Sequence, residues 1–416
     1  MKRRARAVVC VALSALTMRV ARAEDAVVAL DPERYEYAGA PIIGGNSDIG
    51  VLFGGAGTIT RFHGQNHPYL WRIELVLSAS VKSDGSGTRL VHHSDIVRFD
   101  LPQLWGGRLR LDVRSSFQRT INAGYFGLGN AADATRDGSA ENARRYQAQL
   151  TEGRVRSIAR IRTGTPVEVG VGAIARYEAP EVYAGSKLAE DSAAHTSGNP
   201  RVRGTTAGAT GSLAAGLILD TRDNEFVTTR GVFYQAGVGG TLGTMERIAF
   251  GNAAAVLTHY ARIPGPFLFA SRFVASFEVG RVPFYDLQQG GVFDPQYMLG
   301  GESGVRGVPQ GRYGGLVKTV ANFEIRSTLP RFTIFKQSLR FGTTTFFDAG
   351  RAWSDYTFDR ARDGGKLGLK YGVGGGVFVQ WGEAAIFRLE AAYSPDAISE
   401  NPSFPVGIYI GDGLMF

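Results

Sequence analysis

The sequence predicts an all-β fold, a sixteen-stranded antiparallel β-barrel that crosses a membrane. Three observations lead there. Segments of about ten residues with alternating polarity recur along most of the chain, separated by turn-forming residues, as expected for strands with one face in lipid. The 416 residues are 44% apolar and include 56 glycines, yet no stretch approaches the roughly 18 uninterrupted apolar residues of a spanning helix. The N-terminus also carries the marks of an exported chain. A closed barrel is the other structure that satisfies every backbone polar group inside a bilayer.

Taken in order, Lys2-Arg3-Arg4-Ala5-Arg6 is a positive segment, Ala7 to Met18 an apolar run, and Ala21-Arg22-Ala23 a small-residue cleavage pattern. Residues 1–23 therefore read as a secretory signal peptide, with the mature chain starting at Glu24. Cys10, the only cysteine, falls inside the apolar run, so the mature chain is expected to have no thiol or disulfide chemistry. The signal carries six cations (Lys2, Arg3, Arg4, Arg6, Arg19 and Arg22) and no acidic residue. Removing those six from the formal net charge of +8 leaves +2, too little to argue for a nucleic-acid partner.

Residues 24–39 read as a short periplasmic leader and 40–416 as one barrel domain. Strands are expected near 40–46, 50–62, 69–81, 88–99, 107–118, 143–162, 164–178, 208–220, 231–241, 251–262, 267–281, 315–328, 337–350, 367–380, 384–394 and 405–416. In the clearest of them one face is apolar and the other carries charges. Arg72 and Glu74 alternate with Ile73 and Leu75, Asn322, Glu324 and Arg326 with Phe323 and Ile325, and Arg388 and Glu390 with Phe387 and Leu389. A soluble sandwich would show the same period with its apolar face inward, but one long sheet without helices would leave exposed edges that soluble proteins avoid. The connections support the barrel. Short ones such as Thr163-Gly164 alternate with long ones at about 119–142, 179–207, 282–314 and 351–366, expected as periplasmic turns and extracellular loops. Tyr69, Trp71, Trp105, Trp353 and Trp381 fall near strand ends, where aromatic girdles belong.

Five segments carry a family likeness. Tyr125-Phe126-Gly127-Leu128-Gly129-Asn130 follows a basic amphipathic strand, and Leu219-Asp220-Thr221-Arg222-Asp223-Asn224-Glu225-Phe226 runs on to Thr229-Arg230-Gly231. Then come Val305-Arg306-Gly307 in a glycine-rich loop, Phe347-Asp348-Ala349-Gly350, and a terminal Phe416. In this order they resemble the Omp85 superfamily, the bacterial surface antigen D15 barrels found in BamA and TamA proteins, over about residues 40–416. The resemblance implies a sixteen-stranded barrel whose sixth outer loop folds back into the lumen, where the arginine of the V-R-G motif meets inward-facing acidic groups. Carried over, that arginine is Arg306, followed by Gly307. Its partners are Glu324 on the next strand and Asp348 in the motif that Gly350 closes. The alternation independently puts Glu324 on one face with Asn322 and Arg326, and Asp348 with Thr344 and Phe346. A planar guanidinium can bind two carboxylates at once and so offset the entropy of ordering a long loop.

The resemblance further implies an outer-membrane location, insertion by the outer-membrane assembly machinery through a signal ending at Phe416, and contact with outer-membrane lipids. The expected role is membrane protein or lipid assembly or translocation, with client outer-membrane proteins or a periplasmic partner. The rival expectation is a porin-like diffusion channel that retains the scaffold. Two departures count against client insertion: residues 24–39 leave no room for a POTRA domain, and Val373-Gly374-Gly375-Gly376-Val377-Phe378 replaces the insertases' glycine–hydrophobic–arginine run. Glycines in the first and last strands make the closing seam the weakest ladder, the place where the family is proposed to open laterally. No cofactor, metal or enzymatic activity is expected. His63 and His67, and His92-His93, lack a third ligand at metal spacing, and Ser303 lacks the glycine and the helix of a nucleophile elbow.

Overall fold

Period-two alternation over twelve or more residues forces one strand face apart from the other, and the chain resolves that segregation by closing on itself. The computed structural model describes residues 32–416 apart from 47–48, 65, 67, 85–86, 133–143, 194–201, 335–336, 366, 383–384 and 398–404. The signal peptide, residues 24–31 of the leader and His67 lie outside the described residues. Sixteen long strands follow one another. They are β1 (Tyr35–Asn46), β2 (Gly50–Arg61), β3 (Trp71–Asp84), β4 (Gly87–Gln103), β5 (Leu109–Gly124), β6 (Gln147–Arg162), β7 (Val167–Val182) and β8 (Gly208–Asp220). The second half comprises β9 (Gly231–Gly243), β10 (Ala249–Arg262), β11 (Phe267–Arg281), β12 (Val317–Thr328), β13 (Gln337–Trp353), β14 (Lys370–Trp381), β15 (Ala385–Tyr393) and β16 (Val406–Asp412). Each pairs antiparallel with the next. β16 also approaches β1 with Cα atoms within 8 Å, leaving a nearly closed barrel.

The burial pattern is inverted relative to a water-soluble fold. Leu75, Leu77, Leu213, Leu217, Val238, Phe273, Val279 and Leu389 are exposed on the outside, while Arg72, Glu74, Arg156, Glu178, Lys318, Glu324 and Asp348 are buried. An apolar outer band around a charged interior is the arrangement lipid selects. Among the described residues, no helix is long and apolar enough to cross a membrane. The connections sort by end as the sequence suggests. β5–β6, β7–β8, β11–β12 and β13–β14 are joined by the long loops, all at one end, and the opposite end carries shorter connections.

Three placements differ from the sequence reading. β1 begins at Tyr35 rather than residue 40, because Tyr35 to Gly39 continue the ladder opposite Arg61 to Gly57, so the barrel takes up the end of the predicted leader. β16 stops at Asp412, since Gly413 turns with φ of 75° and donates its N–H to Ile386. Phe416 therefore lies beyond the last strand instead of completing it, its ring beside Tyr260 at 6.4 Å between centroids. Tyr69 is not a girdle residue. It is buried, and its hydroxyl donates to Asp100.

One contact at the long-loop end is directly testable by pH. Glu246, between β9 and β10, accepts from the backbone N–H groups of Gly204, Thr205 and Thr206 at 2.6, 2.8 and 2.8 Å and from both threonine hydroxyls. Burial pushes its carboxyl up, but these donors outweigh it and hold the group below the ordinary 4.5. A depressed carboxylate stabilises the fold above its unfolded pKa, and the contribution fades as pH falls through the folded value. Acidification below 4.5 is therefore expected to loosen the 204–206 segment, read as faster proteolytic nicking there. Glu246→Gln should be nicked readily at neutral pH and lose most of that pH dependence.

Candidate functional site: the Arg306 cluster

Residues 282–316, between β11 and β12, form the longest connection, and they are packed rather than solvated. Phe284, Tyr285, Phe293, Leu299, Val305, Val308 and Tyr313 are all buried. Phe284 and Tyr285 pack with Tyr125, Leu150 and Leu188, while Met298, Leu299, Val305, Val308 and Tyr313 pack with Val320 of β12 and Ala352 of β13. Apolar burial at both ends of one segment holds its glycine-rich middle, Gly300 to Gly307, against the wall.

Arg306 is fully buried and held from several sides. Its Nε and Nη2 donate to the two oxygens of Asp348 at 2.8 and 3.0 Å, and its backbone N–H donates to the same carboxylate at 3.1 Å. Nη1 lies 2.7 Å from Glu324 Oε1 and donates to Glu390 at 3.1 Å. The guanidinium carbon sits 3.4 Å from the centroid of the Phe346 ring. Burial alone would lower the guanidinium's pKa, but the Asp348 hydrogen bonds and the neighbouring carboxylate charges raise it further, so the group stays charged. Three carboxylates around one cation would be in excess. Arg326 offsets this by donating to Glu324 at 2.7 Å, and Asn322 bridges Asp348 and the Gly304 carbonyl at 2.8 and 2.9 Å.

The structure brings Arg306, Glu324 and Asp348 together, and Gly307 and Gly350 lie beside them. Gly307 has φ of 91°, and its N–H donates to the Tyr409 hydroxyl at 2.8 Å. A side chain at Gly350 would meet Thr319 O at 2.8 Å and the Val305 side chain at 3.2 Å, so its absence lets Val305 approach β13. Phe416 is not part of this cluster, though its ring faces the guanidiniums of Arg326 and Arg272 at 5.0 and 5.4 Å.

Sequence reasoning missed Glu390, the third carboxylate, although its alternation with Phe387 and Leu389 marks it as inward-facing. It also missed the clasp at the loop's base. Lys318, fully buried, donates to Glu278 at 2.9 Å and to the carbonyls of Leu287 and Gly315 at 3.1 and 2.9 Å. Gly315 N–H also donates to Leu287 O at 2.9 Å. Lys318→Met is expected to leave Glu278 buried without its cation, at a cost of about 3–5 kcal/mol. The readout is a lower temperature for conversion of the compact barrel to the slower-migrating unfolded band on a gel.

The described residues hold no cluster of three or more metal-ligating side chains. A family model described as the Omp85 superfamily domain matches residues 96–402. Among solved structures, CdiB from Escherichia coli superposes with a TM-score of 0.52 at 14% identity, covering 93% of this chain and 63% of that one. BamA from Haemophilus ducreyi lacking POTRA domains 1-3 gives 0.48 at 12% identity, covering 92% and 70%. CdiB from Acinetobacter baumannii gives 0.47 at 13%, covering 88% and 56%. The chain thus spans less than two thirds of the length of either CdiB protein. A search of curated proteins finds no match.

Proposed function

Because the chain belongs to the Omp85 superfamily, we propose that it is an outer-membrane barrel whose 282–316 loop is folded into the lumen as a plug. Its role on this reading is assembly or translocation of membrane proteins or lipids. The observation that carries the reading is the Arg306 clamp. An open diffusion pore has no need to bury a guanidinium under three carboxylates from β12, β13 and β15, an arrangement that is costly to desolvate and strongly destabilised when one partner is lost. Export would use the N-terminal signal, and outer-membrane lipids would meet the apolar outer band. The partners would be client outer-membrane proteins or a periplasmic protein. The reading includes no enzymatic step, and the Ser303 hydroxyl is engaged with the Tyr297 carbonyl at 3.3 Å.

Two measurements test this. In planar bilayers the refolded wild-type barrel should give small, flickering currents, and a large steady conductance would favour the porin reading. In liposomes the barrel should accelerate folding of an added outer-membrane protein or exchange of labelled lipid between leaflets. A plugged barrel that does neither would overturn the assembly assignment while leaving the plug intact.

A further inference from the structure

The inner wall formed by β5, β6 and β7 places arginines directly opposite one another in three successive rows. Arg110 faces Arg160, Arg114 faces Arg156, and Arg154 faces Arg176. Like charges directly opposite on a sheet are destabilising, so three such rows need anions. Part of the compensation is local. Asp112 binds Arg156 at 2.6 Å, Glu168 binds Arg160 at 2.6 Å, and Glu152 binds Arg154. Neighbouring strands add Asp100, which accepts from Arg110 at 2.9 Å, and Asp220, which accepts from Arg160 at 3.3 Å, and Glu178 of β7 lies 3.5 Å from Arg176. Each row also receives one carboxylate from a connection that is not part of the wall. Glu225, in the β8–β9 turn, accepts both Nη groups of Arg110 at 2.6 and 2.8 Å. Asp294, in the 282–316 loop, contacts Arg156. Asp286, in the same loop, accepts both Nη groups of Arg176 at 2.7 and 2.6 Å. A cavity of about 480 Å³ is lined by Arg110, Arg156 and Arg160 together with Glu225 and Asp294.

We infer that this wall is a binding track for an extended acidic polypeptide segment, masked in the present state by the chain's own Glu225, Asp294 and Asp286. The class follows from the occupants and their spacing. All three are side-chain carboxylates on peptide backbone, two of them in the forked geometry that suits a planar guanidinium. Along β5 and β6 the first two rows are four residues apart and the next two are two residues apart, so about 13 and 7 Å separate them at a strand's rise. An extended peptide with the same rise presents carboxylates at that spacing when acidic residues occupy alternate positions. The inference deepens the plug reading. It leaves the Arg306 cluster untouched, so its failure would not count against the plug.

The test uses the full refolded chain and a short fluorescent peptide with glutamate at alternate positions. Controls are a peptide of the same composition with its glutamates clustered at one end, a lysine version, and inorganic pyrophosphate. Removing the mask with Glu225→Gln, Asp286→Asn and Asp294→Asn combined should tighten binding of the alternating peptide by about tenfold, the factor by which competition from the mask lowers apparent affinity. Adding Arg156→Gln should reverse the gain. Unchanged affinity in the unmasked variant would overturn the inference, as would equal binding of the clustered peptide or of pyrophosphate. Glu225→Gln alone, in a turn outside the strands, is the safeguard against misfolding. It should tighten binding by about threefold, and a folded variant without that gain also counts against the track.

Discussion

Arg306→Ala is expected to turn a barrel with small, flickering currents into one with large, steady conductance. The substitution removes the cation from among Asp348, Glu324 and Glu390 and leaves those carboxylates buried with fewer partners. Breaking a buried ion pair from one side costs about 3–5 kcal/mol. At about 1.4 kcal/mol per tenfold, that lowers the docked-to-undocked ratio of the loop by about two to three and a half orders of magnitude. The same variant should unfold at lower temperature. Asp348→Asn should follow in the same direction with a smaller effect, since the amide oxygen still accepts one hydrogen bond. Wild-type conductance and heat resistance in both variants would show that the cluster holds nothing in place.

The second large effect needs no change of charge. A methyl group at Gly372 would lie 1.7 Å from the Arg306 carbonyl oxygen, far inside van der Waals contact and against backbone that cannot rotate away. Gly372→Ala should therefore unseat the loop and reproduce the conductance of Arg306→Ala, with every ionisable group still present. Overpacking of this kind typically costs about 1–3 kcal/mol and occasionally more, and a clash with backbone falls at the upper end. The control is Gly153→Ala on β6, where a methyl group would meet nothing within 4 Å and conductance should be unchanged. If both glycine variants behave alike, the tight approach of loop to β14 has no role in closure.

These two residues mark where the sequence was legible and where it was not. Strand parity is readable because side chains alternate with a period of two, so the inward faces of Glu324, Asp348 and Glu390 all follow from neighbouring apolar residues. Parity does not give height along the barrel axis. That depends on the stagger between strands, and only pairing shows that Gly372 sits opposite Asp348 and that Glu390 reaches Arg306. Glu324 and Asp348 were singled out because a motif order named them, whereas Glu390 had only its parity and merged with the rest of the charged wall. The glycine run after Gly372 was visible as a departure from a family pattern, but its reason is the backbone of a loop distant in sequence. The end of β16 was missed for a local cause. Ile408 to Met415 keep enough apolar residues to read as strand, and the left-handed turn at Gly413 breaks it.

The clasp at the foot of the 282–316 loop changes what kind of moving part the loop is. With Leu287 joined to Gly315 and both fastened to Lys318, the chain between them is already a closed ring, and the entropy of bringing its ends together has been met before Arg306 docks. Releasing the clamp then frees a tethered flap, not thirty residues of open chain. On the plug reading, undocking swings this flap about a fixed hinge, and redocking does not have to close the loop anew.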